Sequence, residues 1–291
     1  MTIITETPPP SAPLKKVLAF LSAKKGIQPL TMLTCYDYPT ACLEDQAGID
    51  IIFVGDSVGT NVLGYTSERE VTMADMVHHL KAVRRGVTHA FVLVDLPYQS
   101  YVTLHLALEN ATTFLAHGAD AVKLEGGQEQ EAIVRGLAEH NITVCGHIGF
   151  TPQTLRQVGK KARVQGRTVE QAQALVQSAV ALEQAGAQLL VLELVPEPLA
   201  KLITERLRIP TSGIGAGRFC DGQVLIVNDL LGITPFQLRF AKQYQHYHDQ
   251  TLQAIEQFQH EVEQRDFPSE SNIFGMEERM FADVAAWARN L

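Results

Sequence analysis

Apolar runs of strand length recur along this chain, and five of them end in polar or charged chemistry. IDIIFVGDS, HAFVLVDLP, ADAVKLEGG, ITVCGHIG and AQLLVLELVPE deliver in turn Asp56 and Ser57, Asp95, Lys123 and Glu125, His147, and Glu193. A strand that is apolar on both faces has to be covered on both faces, as in a parallel sheet flanked by helices. PLTMLTCYD and IPTSGIGAG add two more runs; GQVLIVNDLLG holds an eighth, although its period fits strand and helix equally. Segments of helical period lie between the runs. Eight alternating strand–helix units with functional residues at the strand C-termini predict an α/β TIM (β/α)8 barrel, with an N-terminal helix and a C-terminal helical extension. A doubly wound sheet is the alternative. It would place its glycine fingerprint after the first strand, whereas GIGAG follows the seventh and has neither the third glycine spacing nor a ribose-binding acid. GIGAG is then either a tight turn or an anion contact through backbone N–H groups.

Helix boundaries carry their own signals. Thr72 with Asp75, and Thr168 with Gln171, read as capping boxes; Gly48, Gly118 and Gly186 read as stops, as does Gly86 after Arg84 and Arg85. His78 and His79 lie in a helix away from any strand end and read as surface residues. The long connection 58–71 follows the second strand, where barrels place loops that cover substrates. Residues 1–12, with three consecutive prolines, read as a flexible arm; 14–23 as a short amphipathic helix; 13–267 as the barrel; and 268–291 as a helical tail.

The 291 residues suit one such barrel. A net charge of -8 without a Lys/Arg cluster argues against nucleic acid as a partner. No apolar run has the length of a membrane span, and the N-terminus lacks the basic and apolar regions of a signal peptide, so a cytoplasmic protein is expected. Cys35, Cys42, Cys145 and Cys220 are scattered without a CxxC pair, which fits free thiols, with Cys145 in the core.

Closing a barrel brings Asp56, Asp95 and Glu125 together from neighbouring strands. Two bare carboxylates about 4 Å apart repel by roughly 4 kcal/mol at an effective dielectric near 20, so a cation is wanted, and an oxygen-only donor set points to Mg²⁺. The plainer alternative is a set of strand-end acids paired with Lys123 and surface arginines. A Mg²⁺ with open positions chelates a 2-oxo acid and acidifies the adjacent C–H. Glu193, desolvated among Leu192, Leu194 and Val195, should have its pKa raised toward that of a general base, unless it simply leaves the strand for solvent. Lys123 and Ser57 would hold substrate oxygens. His147 would orient a water or partner group, or simply hydrogen-bond within the wall.

VGDSVGTNVLGY, VTMADMVHH, AVRRG, VLVDLPYQSY, AVKLEGG, VCGHIGFTPQ, VQGR, LVLELVP, IPTSGIGAG and DGQVLIVNDLLGI, in this order from about Leu30 to Phe267, closely resemble the ketopantoate hydroxymethyltransferase family. The resemblance implies transfer of the one-carbon unit of 5,10-methylenetetrahydrofolate to C3 of 3-methyl-2-oxobutanoate, giving 2-dehydropantoate in pantothenate synthesis. It carries Mg²⁺ binding onto Asp56, Asp95 and Glu125, substrate binding onto Asp56, Ser57, Asp95 and Lys123, and the proton acceptor onto Glu193, and it implies a homo-oligomer, commonly a decamer. Two departures stand out: PFQLRFAKQY after GIT, where relatives have a glycine-containing, lysine-rich segment, and NIFGMEERMFADVAAWARNL beyond the point where many relatives end. The competing functions are a phosphoenolpyruvate mutase or isocitrate lyase-like Mg²⁺-dependent lyase, for whose cysteine-bearing catalytic loop there is no match, and a non-catalytic ligand-sensing barrel.

Overall fold

The computed structural model describes residues 23, 25–155, 162–234 and 238–291. Its frame is a closed barrel of eight strands in sequence order, every neighbouring pair parallel. The strands are β1 (Leu30–Thr34), β2 (Ile51–Val54), β3 (Phe91–Asp95), β4 (Ala121–Glu125), β5 (Val144–Gly149), β6 (Leu189–Glu193), β7 (Thr211–Ile214) and β8 (Gly222–Leu225). Around and beyond them run α1 (Tyr38–Ala47), α2 (Met73–Gly86), α3 (Leu104–Ala116), α4 (Glu131–Glu139), α5 (Pro152–Leu155), α6 (Val169–Ala185), α7 (Glu197–Arg206), α8 (Val227–Leu231), α9 (Tyr247–Gln264) and α10 (Glu278–Ala288). The predicted arm at 1–12 and helix at 14–23 fall, Ala23 apart, outside the described residues. The ambiguous GQVLIVNDLLG proves to be both elements in succession, β8 and then α8, which is why neither period dominated it.

Period-2 alternation sorts the strand residues into two cores. Leu30, Met32, Ile51, Phe53, Phe91, Leu93, Ala121, Cys145, Leu189, Val191, Ile214 and Val224 fill the barrel interior, while Ile52, Val54, Val92, Val94, Val122, Leu124, Leu190 and Leu192 pack outward against the helices. Cys145 is therefore a core residue, its thiol pushed up to about 12 by burial, and all four cysteines are free.

At the N-terminal end of the barrel, the residue before each even strand pins the odd strand beside it. The side chains of Asp50, Asp120, Gln188 and Asp221 accept from the backbone N–H groups of Thr31, Val92, Val144 and Thr211. These bonds satisfy edge amides that no ladder reaches, so acids at this end serve stability and those at the other end are free for chemistry.

Most helix signals hold, and three are corrected. The Thr72–Asp75 capping box is complete, and Gly48 and Gly186 close α1 and α6 in the left-handed conformation. Thr168 does cap α6, but Gln171 turns its side chain to the N–H of Arg167, so that box is not reciprocal. Gly86 is the last residue of α2 rather than a cap; a Cβ there would meet Ala41 and the Tyr38 carbonyl at 2.8 Å, so the glycine lets α1 approach. His78 is exposed as expected, but His79 is half-buried and its Nδ1 lies 2.6 Å from the Tyr36 carbonyl. Among the described residues no helix is long and apolar enough to cross a membrane.

Glu44 on α1 is buried with neither carboxylate oxygen hydrogen-bonded. Burial, with a contribution from Asp37, pushes its pKa up to about 8. Because the folded-state value is raised, the unfolded chain ionises first, and stability falls as pH rises from the ordinary glutamate range through about 8. Glu44→Gln is expected to remove that fall, on the order of 3 kcal/mol between pH 5 and 8, as read by urea unfolding at the two pH values. An unchanged difference between them would show that Glu44 is not the titrating group.

Candidate active site

The inward register that fills the barrel with Leu93, Ala121, Cys145 and Val191 continues two residues on into Asp95, Lys123, His147 and Glu193, and Glu125 extends β4 by one more step. The uppermost interior layer is thus polar. Strand pairing sets Asp95 beside Lys123 and Glu125 beside His147. Lys123 and Glu125 accordingly face the barrel axis, while Val122 and Leu124 face the helices.

Lys123 Nζ forms a buried ion pair with Asp95 Oδ1, sits 5.3 Å from the centre of the Phe53 ring, and lies 3.4 Å from His147 Nδ1. The other Asp95 oxygen accepts from the N–H of Asp56 at 3.0 Å. His147 lies between two acids, with Nδ1 3.4 Å from Glu125 Oε1 and Nε2 3.3 Å from Glu193 Oε2. Ser57 Oγ is 2.8 Å from the Tyr36 hydroxyl. All six residues singled out in the strand-end runs besides Ser57 therefore belong to one connected cluster, and Ser57 adjoins it through Asp56. The Glu193 side chain is 17% exposed, whereas those of Asp95 and Glu125 are 3% and 1% exposed, so Glu193 reaches the opening.

Several partners carried no signal in the sequence. Gln153, on α5, donates from Nε2 to Asp56 Oδ2 (2.8 Å) and to the Leu96 carbonyl (3.0 Å), and its backbone N–H donates to Glu125 Oε2 (2.9 Å). Its Oε1 accepts from the Tyr101 hydroxyl at 2.5 Å. The long connection after β2 folds into two short turns, Gly59–Leu63 and Glu68–Glu70; it accepts from Asn228 at Asn61 and packs at Glu68–Glu70 against α5. It thus spans the C-terminal end of the barrel, as a covering loop should.

The end of β6 is held tightly. Gly149 has φ +99°, and a Cβ there would run into the Glu193 carbonyl oxygen, which accepts from the Phe150 N–H. Leu194, directly after Glu193, takes φ +48°, a conformation a bulky residue adopts only when its surroundings impose it. The N–H of Leu194 donates to Ile214 and its carbonyl accepts from Gln165, which fixes the turn that aims Glu193.

Four acids, Asp56, Asp95, Glu125 and Glu193, face one ammonium and one imidazole. Burial, followed by the charges of Asp95 and Glu125, raises Asp56 well above the carboxylate range. Burial also raises Asp95, outweighing Lys123, and raises Glu193, outweighing its His147 hydrogen bond. Burial pushes Glu125 up too, but His147, Lys123 and the Gln153 N–H together bring it below its usual value. For His147, burial and Lys123 favour the neutral ring, yet Glu125 and Glu193 carry the pKa above the ordinary value. Lys123, despite burial, is held charged by Asp95, Glu125 and Asp56. The surplus of negative charge fits a divalent cation with oxygen ligands. Among the described residues no three His, Cys, Asp or Glu side chains form a finished ligand set; Asp56, Asp95 and Glu125 turn instead to Gln153, Lys123 and His147. A divalent cation there would be met largely by water or substrate oxygens, a coordination that Mg²⁺ accepts.

GIGAG has turn geometry at Gly215 and Gly217, with φ +62° and +80°, and Glu197 accepts from the N–H of Arg218 just after it.

A closed β/α barrel whose upper interior layer is an acid–lysine–histidine cluster defines a (β/α)8-barrel enzyme. Residues 15–270 match the family model described as ketopantoate hydroxymethyltransferase, and the chain belongs to that family. It is 50% identical over 256 residues to the 3-methyl-2-oxobutanoate hydroxymethyltransferase of Thermotoga neapolitana, covering 87% of this chain and 94% of the relative. It is 45% identical over 263 residues to that of Thermosipho africanus, covering 90% and 97%. Among solved structures it resembles phosphonopyruvate hydrolase in complex with oxalate and Mg²⁺ (TM-score 0.60, 11% identity, 95% and 96% covered). It also resembles 2,3-dimethylmalate lyase, a member of the PEP mutase/isocitrate lyase superfamily (TM-score 0.59, 13% identity, 95% and 95% covered). At such identities these two likenesses show the fold. The family match stops near the start of the tail, whose predicted helix is α10.

Proposed function

We propose that the chain transfers the one-carbon unit of 5,10-methylenetetrahydrofolate to C3 of 3-methyl-2-oxobutanoate, giving 2-dehydropantoate and tetrahydrofolate. The observation that carries this reading is Glu193: it alone of the cluster's acids reaches the opening, with its pKa raised and its carboxylate against His147, in a chain half identical to hydroxymethyltransferases. The C3–H bond breaks and its proton passes to the Glu193 carboxylate; C3 bonds to the methylene carbon, both C–N bonds of that carbon break, water supplies the hydroxyl group, and tetrahydrofolate leaves with one proton on each freed nitrogen, one from water and one equivalent to the C3 proton. Asp56, Asp95 and Glu125 would hold Mg²⁺, which when bound polarises the oxo group and makes the adjacent C–H more acidic. Lys123 and Ser57 orient the substrate oxygens, and His147 steadies Glu193 through Nε2 while its Nδ1 faces Glu125. The apolar side chains exposed along α9 and α10, including Ile255, Phe258, Phe281 and Trp287, support a homo-oligomer. The test is tetrahydrofolate release from purified protein with both substrates and Mg²⁺. Release that needs the oxo acid is expected; none would leave the sensor reading, and cleavage of an oxo acid without folate would favour the lyase reading.

A further inference from the structure

We propose that Gln153 is the positioning residue that fixes Asp56 and Glu125 as ion ligands and ties them to the covering loops, an inference that rests on the metal reading above. Gln153 has no exposed surface, and every polar group on it that meets the site is used. The orientation of its amide is chemically forced. The Leu96 carbonyl only accepts, so the amide atom that meets both it and Asp56 is the NH₂ group, which leaves Oε1 for the Tyr101 hydroxyl as donor. One side chain therefore joins the ends of β2 and β3, while its own N–H joins the end of β4. A neutral donor against Asp56 holds that carboxylate in place without neutralising it, which a lysine or arginine there would do. The same residue sits on α5, against which the Glu68–Glu70 turn packs, so a shift of that loop reaches Asp56 and Glu125 through Gln153.

Outer partners of metal ligands typically change metal affinity ten- to a hundred-fold when removed. In the full-length protein, Gln153→Met keeps the volume but removes the amide, and it is expected to weaken Mn²⁺ binding, measured calorimetrically without substrate, by about ten- to a hundred-fold. Tyr101→Phe leaves the amide in place but frees it to rotate, so a smaller loss in the same direction is expected. The double variant should bind little more weakly than Gln153→Met alone, because the Tyr101 hydroxyl acts mainly through the amide at 2.5 Å and only at 3.4 Å on the Glu125 backbone. Near-ultraviolet circular dichroism confirms that each variant is folded at the temperature used; should Gln153→Met not fold, Tyr101→Phe carries the measurement. Mn²⁺ affinity within two-fold of the parent in both folded variants overturns the positioning role while leaving the metal reading intact. A parent that binds no Mn²⁺ overturns both.

Discussion

Glu193→Gln is expected to lower turnover about a hundred- to ten-thousand-fold while affinity for Mg²⁺ and for the oxo acid stays close to that of the parent. The amide keeps the size of the side chain and its place beside His147, but it cannot take the C3 proton. Binding and chemistry should therefore separate, with the loss in kcat rather than in KM. The parent carries a related signature in its pH profile. A base must be ionised, and burial raises Glu193, so kcat should fall on acidification at a pH above the ordinary glutamate range. Because His147 contacts Glu193 and also titrates upward, the limb belongs to the pair. A variant that loses affinity and keeps its turnover would make Glu193 a substrate ligand.

Lys123→Met should be nearly as damaging, and in two measurable ways. Among the described residues the ammonium is the only lysine or arginine charge in the cluster, set against Asp95 in a buried pair with Asp56 and Glu125 beside it. Removing one partner of such a pair leaves an uncompensated acid and costs on the order of 3–5 kcal/mol, which denaturant unfolding would read. Activity should fall at least a hundred-fold as well, since the oxo-acid carboxylate then enters a site of like charge. Adding Asp95→Asn is expected to restore much of the stability and none of the activity. If the double variant regained activity along with stability, Lys123 would be a structural partner of Asp95 and nothing more.

The barrel was legible because a parallel strand covered on both faces leaves an apolar run that few other elements share, and eight such runs leave few architectures open. The cluster was legible for a related reason. An acid, lysine or histidine at the end of an apolar run is costly enough to demand a purpose, and residues two apart on a strand, as Lys123 and Glu125 are, fall on one side. Gln153 and Tyr101 were not legible, because an uncharged amide and a phenol in connecting segments have neither a period nor a cost that marks them. His79 was misjudged for want of a tertiary contact, since only folding brings the Tyr36 carbonyl to its ring. Glycine was ambiguous in the same way: Gly48 and Gly86 both follow helical runs, yet one caps its helix and the other admits a neighbour.

Proton exchange at C3 of 3-methyl-2-oxobutanoate in D₂O, with Mg²⁺ and without any folate, isolates loss of the C3 proton from carbon transfer. The parent is expected to exchange that proton only when Mg²⁺ is present, and Glu193→Gln to lose exchange in proportion to its loss of turnover. Exchange by Glu193→Gln at the parent's rate, or none by a parent that still forms 2-dehydropantoate, would contradict proton removal by Glu193.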